Sequence, residues 1–518
     1  MARAGQWHEP DALNLFAALG GLLLAMGLLA RAAIFRAASA SAVDQHYWLL
    51  AARAYREQRR LPVRIVGKYL MEDETQAYPP LFGILLGRLP NHVLVRRMTP
   101  TLEVAEFVTL GALLHAMGVR WDMLLLALAG YAAAPVLVVY NAQLTPRILG
   151  DFFFFSAMAL QAVAVFIAGS PGIEWFCWAA SAVLLGLMVM THKMTFQLHL
   201  VLLPFWWWSL QAWQVPLATL AGLAIFVAMV GPRFAAYQFR AHWDIVRFWN
   251  RHWRDLGGHQ FAHSPIYGDP GGDRSGCFHA PGWRGVLKHL RVVASYAPLN
   301  LALPACSMVS GVWPPVWVMV WIGGVYVWAL ATLFMPRLKC FGGGHLYLFN
   351  SIAPGAIYLA HLPATMPVFI LLAIGAMLTI ASLAIAWRIV RTRPTARGGD
   401  FDDAISHVRR LAKARFAVFP LQSAEAVAAR TDHAVLWGAH GYGFRQLEGF
   451  FPVLTRPIEE FFRQYAIKWV LWDSAFWPRG EGTLVADGLV VAGSIMAFGR
   501  WRLAQVRASE TPIRNSSQ

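Results

Sequence analysis

Long apolar segments alternate with short polar connections along most of the first 390 residues. A segment of about 20 apolar residues is long enough to cross the hydrocarbon core of a bilayer as a helix. We therefore predict a mainly α-helical, polytopic membrane protein with about eleven transmembrane helices, forming a membrane domain over residues 1–393. The predicted spans are 13–38, 101–118, 121–140, 146–169, 174–192, 196–211, 213–231, 292–310, 312–334, 346–361 and 364–391.

Two long polar segments interrupt this pattern, at about residues 39–100 and 232–291. Residues 41–80 of the first segment include six acidic or histidine side chains, and ionisable groups are costly in lipid. Both segments are therefore predicted to be loops outside the bilayer. An odd number of spans places both loops and the C-terminal region on one face of the membrane.

The periodicity changes after residue 393. Helical patterns such as FDDAISHVRRLAKA alternate with short strand-like runs such as RFAVFP and IKWVLWD. Alternation of this kind is typical of an α/β domain. We predict a small soluble α/β domain over residues 394–510 and a disordered tail over 511–518.

Composition supports the membrane class and narrows the partners. Apolar residues make up 57% of the chain and charged residues 14%, with a mean hydropathy of +0.46 and a net charge of +16. The positive charge is spread over the loops of an integral membrane protein, so we expect no nucleic-acid partner. Anionic headgroups or lipid phosphates are the expected partners, because arginine binds phosphate in a bidentate manner.

An acidic residue directly follows the first span, in the motif VDQHYW. At a membrane surface, the carboxylate of Asp44 is suited to act as a general base towards a hydroxyl group or to hold a divalent metal ion. The structural alternative is an N-cap for the helix that begins there, a position that aspartate also favours.

Three consecutive acids open the motif EDETQAYPP, which begins at Glu72. One of these three acids is suited to supply a second carboxylate or a metal ligand beside Asp44. The alternative is a solvated loop, which must hold for at least one of the three acids. The two prolines that follow disfavour regular structure there.

A further ionisable motif, TPRILGD, opens the fourth predicted span. Arg147 and Asp151 are four residues apart and so share one helix face. The functional reading has Asp151 in an acidic centre and Arg147 on phosphate, whereas the structural reading is an ion pair that locks two helices.

Another basic motif, THKM, lies at the junction of two apolar segments. Lys193 is suited to contact phosphate, or it is a lysine whose ammonium reaches the interface. The six histidines of the second loop match no metal-binding spacing, so no metal site is predicted there.

Together these features resemble the GT-C superfamily of glycosyltransferases that use polyprenyl-phosphate sugars, which includes aminoarabinose transferases, protein O-mannosyltransferases and oligosaccharyltransferases. The resemblance lies in VDQHYW, EDETQAYPPLFGILLG and TPRILGD, and in the layout of two large loops and a C-terminal α/β domain. It implies that the loops and this domain face the periplasm of a bacterial inner membrane or the cell exterior. The basic residues of the short loops alone would place them in the cytoplasm.

The resemblance also implies roles for individual residues. Asp44 corresponds to the catalytic base, and Asp151 with Arg147 corresponds to the second acidic motif. The expected reaction is inverting transfer of a sugar from a polyprenyl-phosphate donor to a glycan, lipid or protein. The expected catalytic carboxylates are Asp44, Asp151, Glu72 and Glu74, and the expected substrate or lipid-phosphate contacts are Arg147, Lys193, His192, His46 and Tyr78.

Two points stay open at this level. The family is divided over metal use, and because this chain has no clear DxD pair we expect no required cofactor, with Mg²⁺ or Mn²⁺ as the alternative. A transporter or flippase for lipid-linked glycans would also need basic residues facing a cavity, but would more often show inverted repeats and broken helices. A glycan polymerase or ligase would share the external loops and would use arginine and histidine more than aspartate.

Overall fold

The computed structural model describes residues 9–38, 43–90, 92–256, 261, 264, 266–267, 277–392, 399–438 and 443–507. The described residues fall into two compact units. The first unit draws on segments 1–39, 90–235 and 286–392, and the second on 40–89, 236–285 and 393–518. The predicted tail at 511–518 lies outside the described residues.

Helices dominate both units. In chain order they are α1 (Glu9–Ala38), α2 (Val43–Gln58), α3 (Leu81–Arg88), α4 (His92–Ala116), α5 (Trp121–Ala133), α6 (Pro135–Tyr140), α7 (Arg147–Phe166), α8 (Pro171–Val189), α9 (Lys193–Leu210), α10 (Gln214–Val230), α11 (Pro232–His252), α12 (Gly282–Tyr296), α13 (Pro298–Ser310), α14 (Val316–Phe334), α15 (Ile352–Ala360), α16 (Met366–Thr392), α17 (Gly399–Arg410), α18 (Ala424–Arg430), α19 (Phe444–Leu447), α20 (Ile458–Gln464) and α21 (Gly480–Ala486). The strands are β1 (Arg415–Phe419), β2 (Ala434–Val435), β3 (Trp469–Asp473), β4 (Met496–Phe498) and β5 (Trp501–Gln505).

The first unit contains the candidate membrane spans. Within the described residues, five helices are long and apolar enough to cross a bilayer, and the number is up to seven if each of two bent helix pairs is counted as one span. The five are Asn14–Arg36, Arg147–Phe166, Pro171–Val189, Val316–Phe334 and Met366–Arg391. The prediction of a polytopic membrane protein is confirmed, but the predicted count of eleven spans is not.

Breaks in the helices account for much of the difference in count. The predicted span 121–140 is divided at Pro135 into α5 and α6, because proline cannot donate the helical hydrogen bond. The predicted span 346–361 begins in a 3₁₀ helix, Gly344–Ser351, before α15. A window of average hydrophobicity cannot register either interruption.

Aromatic side chains fill the core of the first unit. The ring of Trp321 lies 5.7 Å from that of Phe154 and 5.4 Å from that of Trp206, both in edge-to-face contact. The indole of Trp206 donates a 2.7 Å hydrogen bond to Gln161, whose amide donates to Ser181 at 2.9 Å. Buried polar groups that are bonded in this way avoid the cost of an unpaired donor.

The second unit contains a five-stranded mixed sheet with the order β2-β1-β3-β5-β4. Strands β2, β1 and β3 are parallel, and β5 runs antiparallel to both β3 and β4. The predicted α/β fold of the C-terminal region is therefore confirmed. The strand-like run LVVAG is an exception, since it contributes one bridge, Val490 to Val506, and a 3₁₀ turn. Whether residues 394–510 form an independent domain stays a prediction.

The first polar loop joins this sheet at its edge. Tyr69 pairs in parallel with Val435 of β2, and the amide of Met71 donates a 2.9 Å hydrogen bond to the carbonyl of Leu436. An edge strand offers unpaired backbone groups, which the loop satisfies here. This pairing fixes the backbone that carries the EDE motif.

Candidate active site

Asp151 lies on the first turns of α7 and is 2% exposed. The side-chain amide of Asn350 donates a 2.5 Å hydrogen bond to Asp151 Oδ1. A carboxylate is expensive to bury in a membrane unit unless it is bonded or has a function. Asn350 thus holds the predicted second carboxylate in one orientation.

The buried carboxylate of Glu106 lies near Asp151, and no sequence motif pointed to it. Glu106 of α4 is fully buried and interacts electrostatically with Asp151 and Tyr131. One turn earlier on the same helix, Glu103 forms a salt bridge with Arg31. The available signal was two acids, three residues apart, within an otherwise apolar predicted span.

Arg147 makes a different contact from the predicted ion pair. Its guanidinium lies over the ring of Tyr140, 4.7 Å from the centroid, and no salt bridge joins it to Asp151 in the described structure. The hydroxyl of Tyr140 is 3.1 Å from that of Tyr296, whose ring contacts His345 edge-on at 5.1 Å. The contacts gather a guanidinium, two phenols and an imidazole, all suited to bind phosphate oxygens.

The charge of this group comes from Arg147. His345 lies outside the candidate spans, and burial, with further contributions from Arg147 and His289, lowers the pKa of His345 to about 3. A neutral imidazole can still donate one hydrogen bond to an anion.

His192 and Lys193 lie at the start of α9, with His192 as the residue before the helix. Nδ1 of His192 is 2.8 Å from Oγ1 of Thr195. His192 also packs on Gly150, where a methyl group in place of the glycine hydrogen would lie 2.5 Å from the Cβ of His192. The structure therefore brings His192 to the residue next to Asp151. Lys193 begins the helix beside it.

Asp44 belongs to the second unit and lies in the first turn of α2. The helix begins at Val43, so Asp44 is inside it and is not the residue that precedes it. Its side chain is half-buried. A carboxylate there is stabilised by the positive end of the helix dipole.

The three acids of the EDE motif have different surroundings. Glu72 is 7% exposed and accepts a 2.7 Å hydrogen bond from the amide of Gly438. Asp73 is exposed, and Glu74 forms a 2.5 Å salt bridge with Arg64 at the surface. The solvated reading therefore fits Asp73 and Glu74, and Glu72 is the one that is built into the unit.

A fully buried glutamate of the C-terminal region accompanies Glu72, and no motif pointed to it. Glu425 of α18 accepts a hydrogen bond from the hydroxyl of Tyr69. Burial, with Glu425 and Glu72 nearby, raises the pKa of Tyr69 well above its usual value, so this phenol keeps its proton to donate. Sequence alone gives no reason to connect residues 356 positions apart.

His46 and Tyr78 also lie in the second unit. Burial, assisted by Arg430, lowers the pKa of His46, while Glu425 acts in the opposite direction. The ring of Tyr78 lies 5.6 Å from that of Tyr47. The predicted residues are thus divided: Asp151, Arg147, His192 and Lys193 lie in the first unit, and Asp44, His46, Glu72, Glu74 and Tyr78 in the second.

Clustered metal ligands are absent from the part of the chain that the structure describes. There, no group of three or more His, Cys, Asp or Glu side chains is arranged to hold a metal ion. The expectation that no cofactor is required stays a prediction, with Mg²⁺ or Mn²⁺ as its alternative.

The chain matches known proteins in structure but not in sequence. No protein-family model matches the chain, and no curated protein sequence matches it. Solved structures do match. ArnT from Cupriavidus metallidurans, crystallised with undecaprenyl phosphate, is similar with a TM-score of 0.55 and 12% identity, over 94% of this chain and 98% of ArnT.

Archaeal structures match as well. The oligosaccharyltransferase AglB from Archaeoglobus fulgidus, in complex with an inhibitory peptide and a dolichol-phosphate, has a TM-score of 0.54 and 10% identity, over 90% of this chain and 71% of AglB. A structure of the oligosaccharyltransferase from the same organism with Zn and sulfate has a TM-score of 0.53 and 12% identity, over 89% of this chain and 69% of that one. The chain therefore has the fold of the GT-C membrane glycosyltransferases, as the resemblance in its motifs predicted.

Proposed function

We propose that this chain is an integral membrane glycosyltransferase that moves a sugar from a polyprenyl-phosphate donor to an acceptor. The observation that carries the proposal is the buried, hydrogen-bonded Asp151 one helical turn from Arg147, within a GT-C fold. Similar structures were solved with undecaprenyl phosphate or dolichol-phosphate, which supports a lipid phosphate as the carrier here.

The donor phosphate is assigned to the first unit. Arg147 supplies a permanent positive charge, and Tyr140, Tyr296 and His345 supply hydrogen-bond donors beside it. His192 and Lys193, at the start of α9, are the further candidates. Fixed donors of this kind stabilise the negative charge that develops on a departing phosphate.

The chemical step follows from these assignments. Asp44 accepts the proton of an acceptor hydroxyl, and the freed oxygen attacks the anomeric carbon of the sugar. The bond between that carbon and the phosphate oxygen breaks, and its electron pair leaves with the lipid phosphate. Attack on the face opposite the leaving group inverts the anomeric centre.

The remaining carboxylates and the location complete the proposal. Asp151 is assigned to hold the donor site in the first unit and Glu72 to support the second unit, because both are buried and hydrogen-bonded, whereas Glu74 forms a surface salt bridge. The acceptor is a glycan, a lipid or a protein. The chain is assigned to a bacterial inner membrane, with the two polar loops facing the periplasm.

The test uses the full chain in nanodiscs with a panel of polyprenyl-phosphate sugars, and measures release of lipid phosphate. Asp44→Asn is compared with Asp73→Asn, an exposed aspartate in the same unit. Loss of release of about 100-fold or more in Asp44→Asn alone is expected for a general base. Equal release in both variants would remove Asp44 from the mechanism.

The same assay separates the alternative classes. A flippase would move a fluorescent lipid-linked glycan between leaflets without releasing lipid phosphate. A ligase or polymerase would transfer glycan but keep its activity in Asp44→Asn. Release measured with and without a chelator decides whether a divalent cation is required.

A further inference from the structure

Helix α12 (Gly282–Tyr296) exposes apolar side chains that a helix on a soluble surface would bury. Val286, Leu287 and Leu290 are 45%, 49% and 46% exposed. His289, three residues after Val286, is 4% exposed, with its ring 5.7 Å from that of Phe334. Val286, Leu287 and Leu290 therefore point outward, whereas His289 and Val293 are buried on the inner side of the helix.

The outward residues form one continuous stripe. Positions 286, 287 and 290 follow the spacing of a single helix face, and Trp283 of the same helix, 68% exposed, extends the stripe by one turn. A contiguous exposed apolar surface of this kind marks a site of protein or membrane contact. Exposure of this apolar stripe to water is therefore energetically unfavourable.

The direction of the helix indicates which neighbour it has. Helix α13 (Pro298–Ser310) packs along α16, which contains a candidate span of 26 residues, Met366–Arg391. The chain bends by 82° between α12 and α13. A helix nearly perpendicular to a segment that follows a span runs close to the plane of the membrane.

Helix α12 also carries the basic side chains that are typical of an interfacial helix. Arg284 and Arg291 are exposed on α12, and Lys288 is half-buried. Helices that lie in the membrane interface combine arginine or lysine with tryptophan and leucine in this way. Basic residues near an anionic membrane surface strengthen the attraction to it.

We propose that α12 lies in the membrane–water interface and binds anionic phospholipid. Val286, Leu287 and Leu290 enter the boundary between headgroups and acyl chains, and Arg284 and Arg291 contact the phosphates. The partner is the lipid of the bilayer that holds the spans, because α12 continues directly into the membrane unit and carries a charge complementary to the lipid. The inference stands whether or not the chain transfers sugars.

The test places a fluorescent label on a single introduced cysteine in the full chain. All four native cysteines are buried, so the introduced thiol is the accessible one. Leu287→Cys is compared with Ser406→Cys, which is exposed on α17 of the second unit. Both are reconstituted in nanodiscs of phosphatidylcholine with phosphatidylglycerol, and quenching is measured with a lipid spin-labelled near the headgroup and with aqueous iodide.

We expect the spin-labelled lipid to quench the label at 287 at least several-fold more than the label at 406, with the reverse order for iodide. Iodide quenching of equal strength at both positions would overturn the proposal. The label at 287 could instead show self-quenching that increases with protein concentration and no quenching by the spin-labelled lipid. That result would indicate a second copy of the chain as the partner and would also overturn the proposal.

The headgroup contact has its own comparison. In the Leu287→Cys background, lipid quenching is expected to be stronger with phosphatidylglycerol than with phosphatidylcholine alone. Arg284→Gln with Arg291→Gln should remove that difference while the label stays protected from iodide. If the label in Leu287→Cys, with Arg284 and Arg291 unchanged, is quenched equally in both lipid mixtures, the assignment of anionic lipid is overturned.

Discussion

Asp151 receives its hydrogen bond from a residue 199 positions further along the chain. The amide of Asn350 approaches Oδ1 at 2.5 Å, which fixes the rotation of the carboxylate about its side-chain bonds. At the scale of single residues, this contact distinguishes a positioned group from an acidic residue that is merely buried. It also offers a way to disturb Asp151 without changing it.

Asn350→Ala is expected to lower lipid-phosphate release by about 10- to 100-fold, since a small displacement of a group that positions the site has an effect of this size. The loss should lie in kcat more than in KM. Gln161→Ala, which removes another buried amide from the same unit, is the control and should keep the activity per folded molecule. Matching losses in both variants, in step with thermal stability, would indicate a structural role only.

Protonation of His46 is expected to make the stability of the second unit depend on pH. Because burial and Arg430 lower its pKa in the folded state, the unfolded chain binds a proton on this residue more readily. Stability is therefore expected to fall as the pH drops below about 6.5, the usual histidine value. Thermal unfolding at pH 7.5 and 5.5 should show a smaller loss in His46→Gln than in the wild type. An identical loss in both proteins would contradict this role.

At the scale of elements, the site depends on how closely two helices approach. Gly150 of α7 lies directly against His192 at the start of α9, so the absence of a side chain at position 150 sets their separation. The same contact places His192 beside the residue that precedes Asp151. Sequence periodicity predicts both helices but says nothing about their distance.

Gly150→Ala is expected to destabilise the protein by about 1–3 kcal/mol, the range for overpacking, because the new methyl group would lie 2.5 Å from His192 Cβ. Gly172→Ala on α8 is the matched control, since a methyl group there meets no atom within 4 Å. It should be neutral or slightly stabilising. Thermal unfolding in nanodiscs measures both, and equal stability of the two variants would show that the helices can move apart freely.

The whole molecule combines the first unit, which holds the five candidate spans, with the second unit, and each is made of three separate chain segments. The two polar loops join the C-terminal region in the second unit, and backbone pairing of residues 69–71 with 435–436 explains how the first loop does so. The proposed orientation of the whole chain places both polar loops on the periplasmic side of the membrane.

Val66→Cys, in the first loop, is expected to react with a membrane-impermeant maleimide on intact cells. Gly169→Cys, in a short connection that the span pattern assigns to the opposite side, should react only after permeabilisation. Both positions are exposed, and the native cysteines are buried. The reverse pattern would place the loops in the cytoplasm, as the charges of the short connections alone suggest.

The sequence by itself determined the membrane class, the small α/β sheet and the GT-C fold, because apolar content, periodicity and short motifs are local properties of the chain. It did not determine the number of unbroken spans, since breaks such as that at Pro135 depend on backbone geometry. The tertiary structure alone decided that Asn350 holds Asp151, that Glu106 and Glu425 are buried partners, and that only Glu72 of the EDE motif is built in. Such pairs are distant in sequence, and packing is what brings them together.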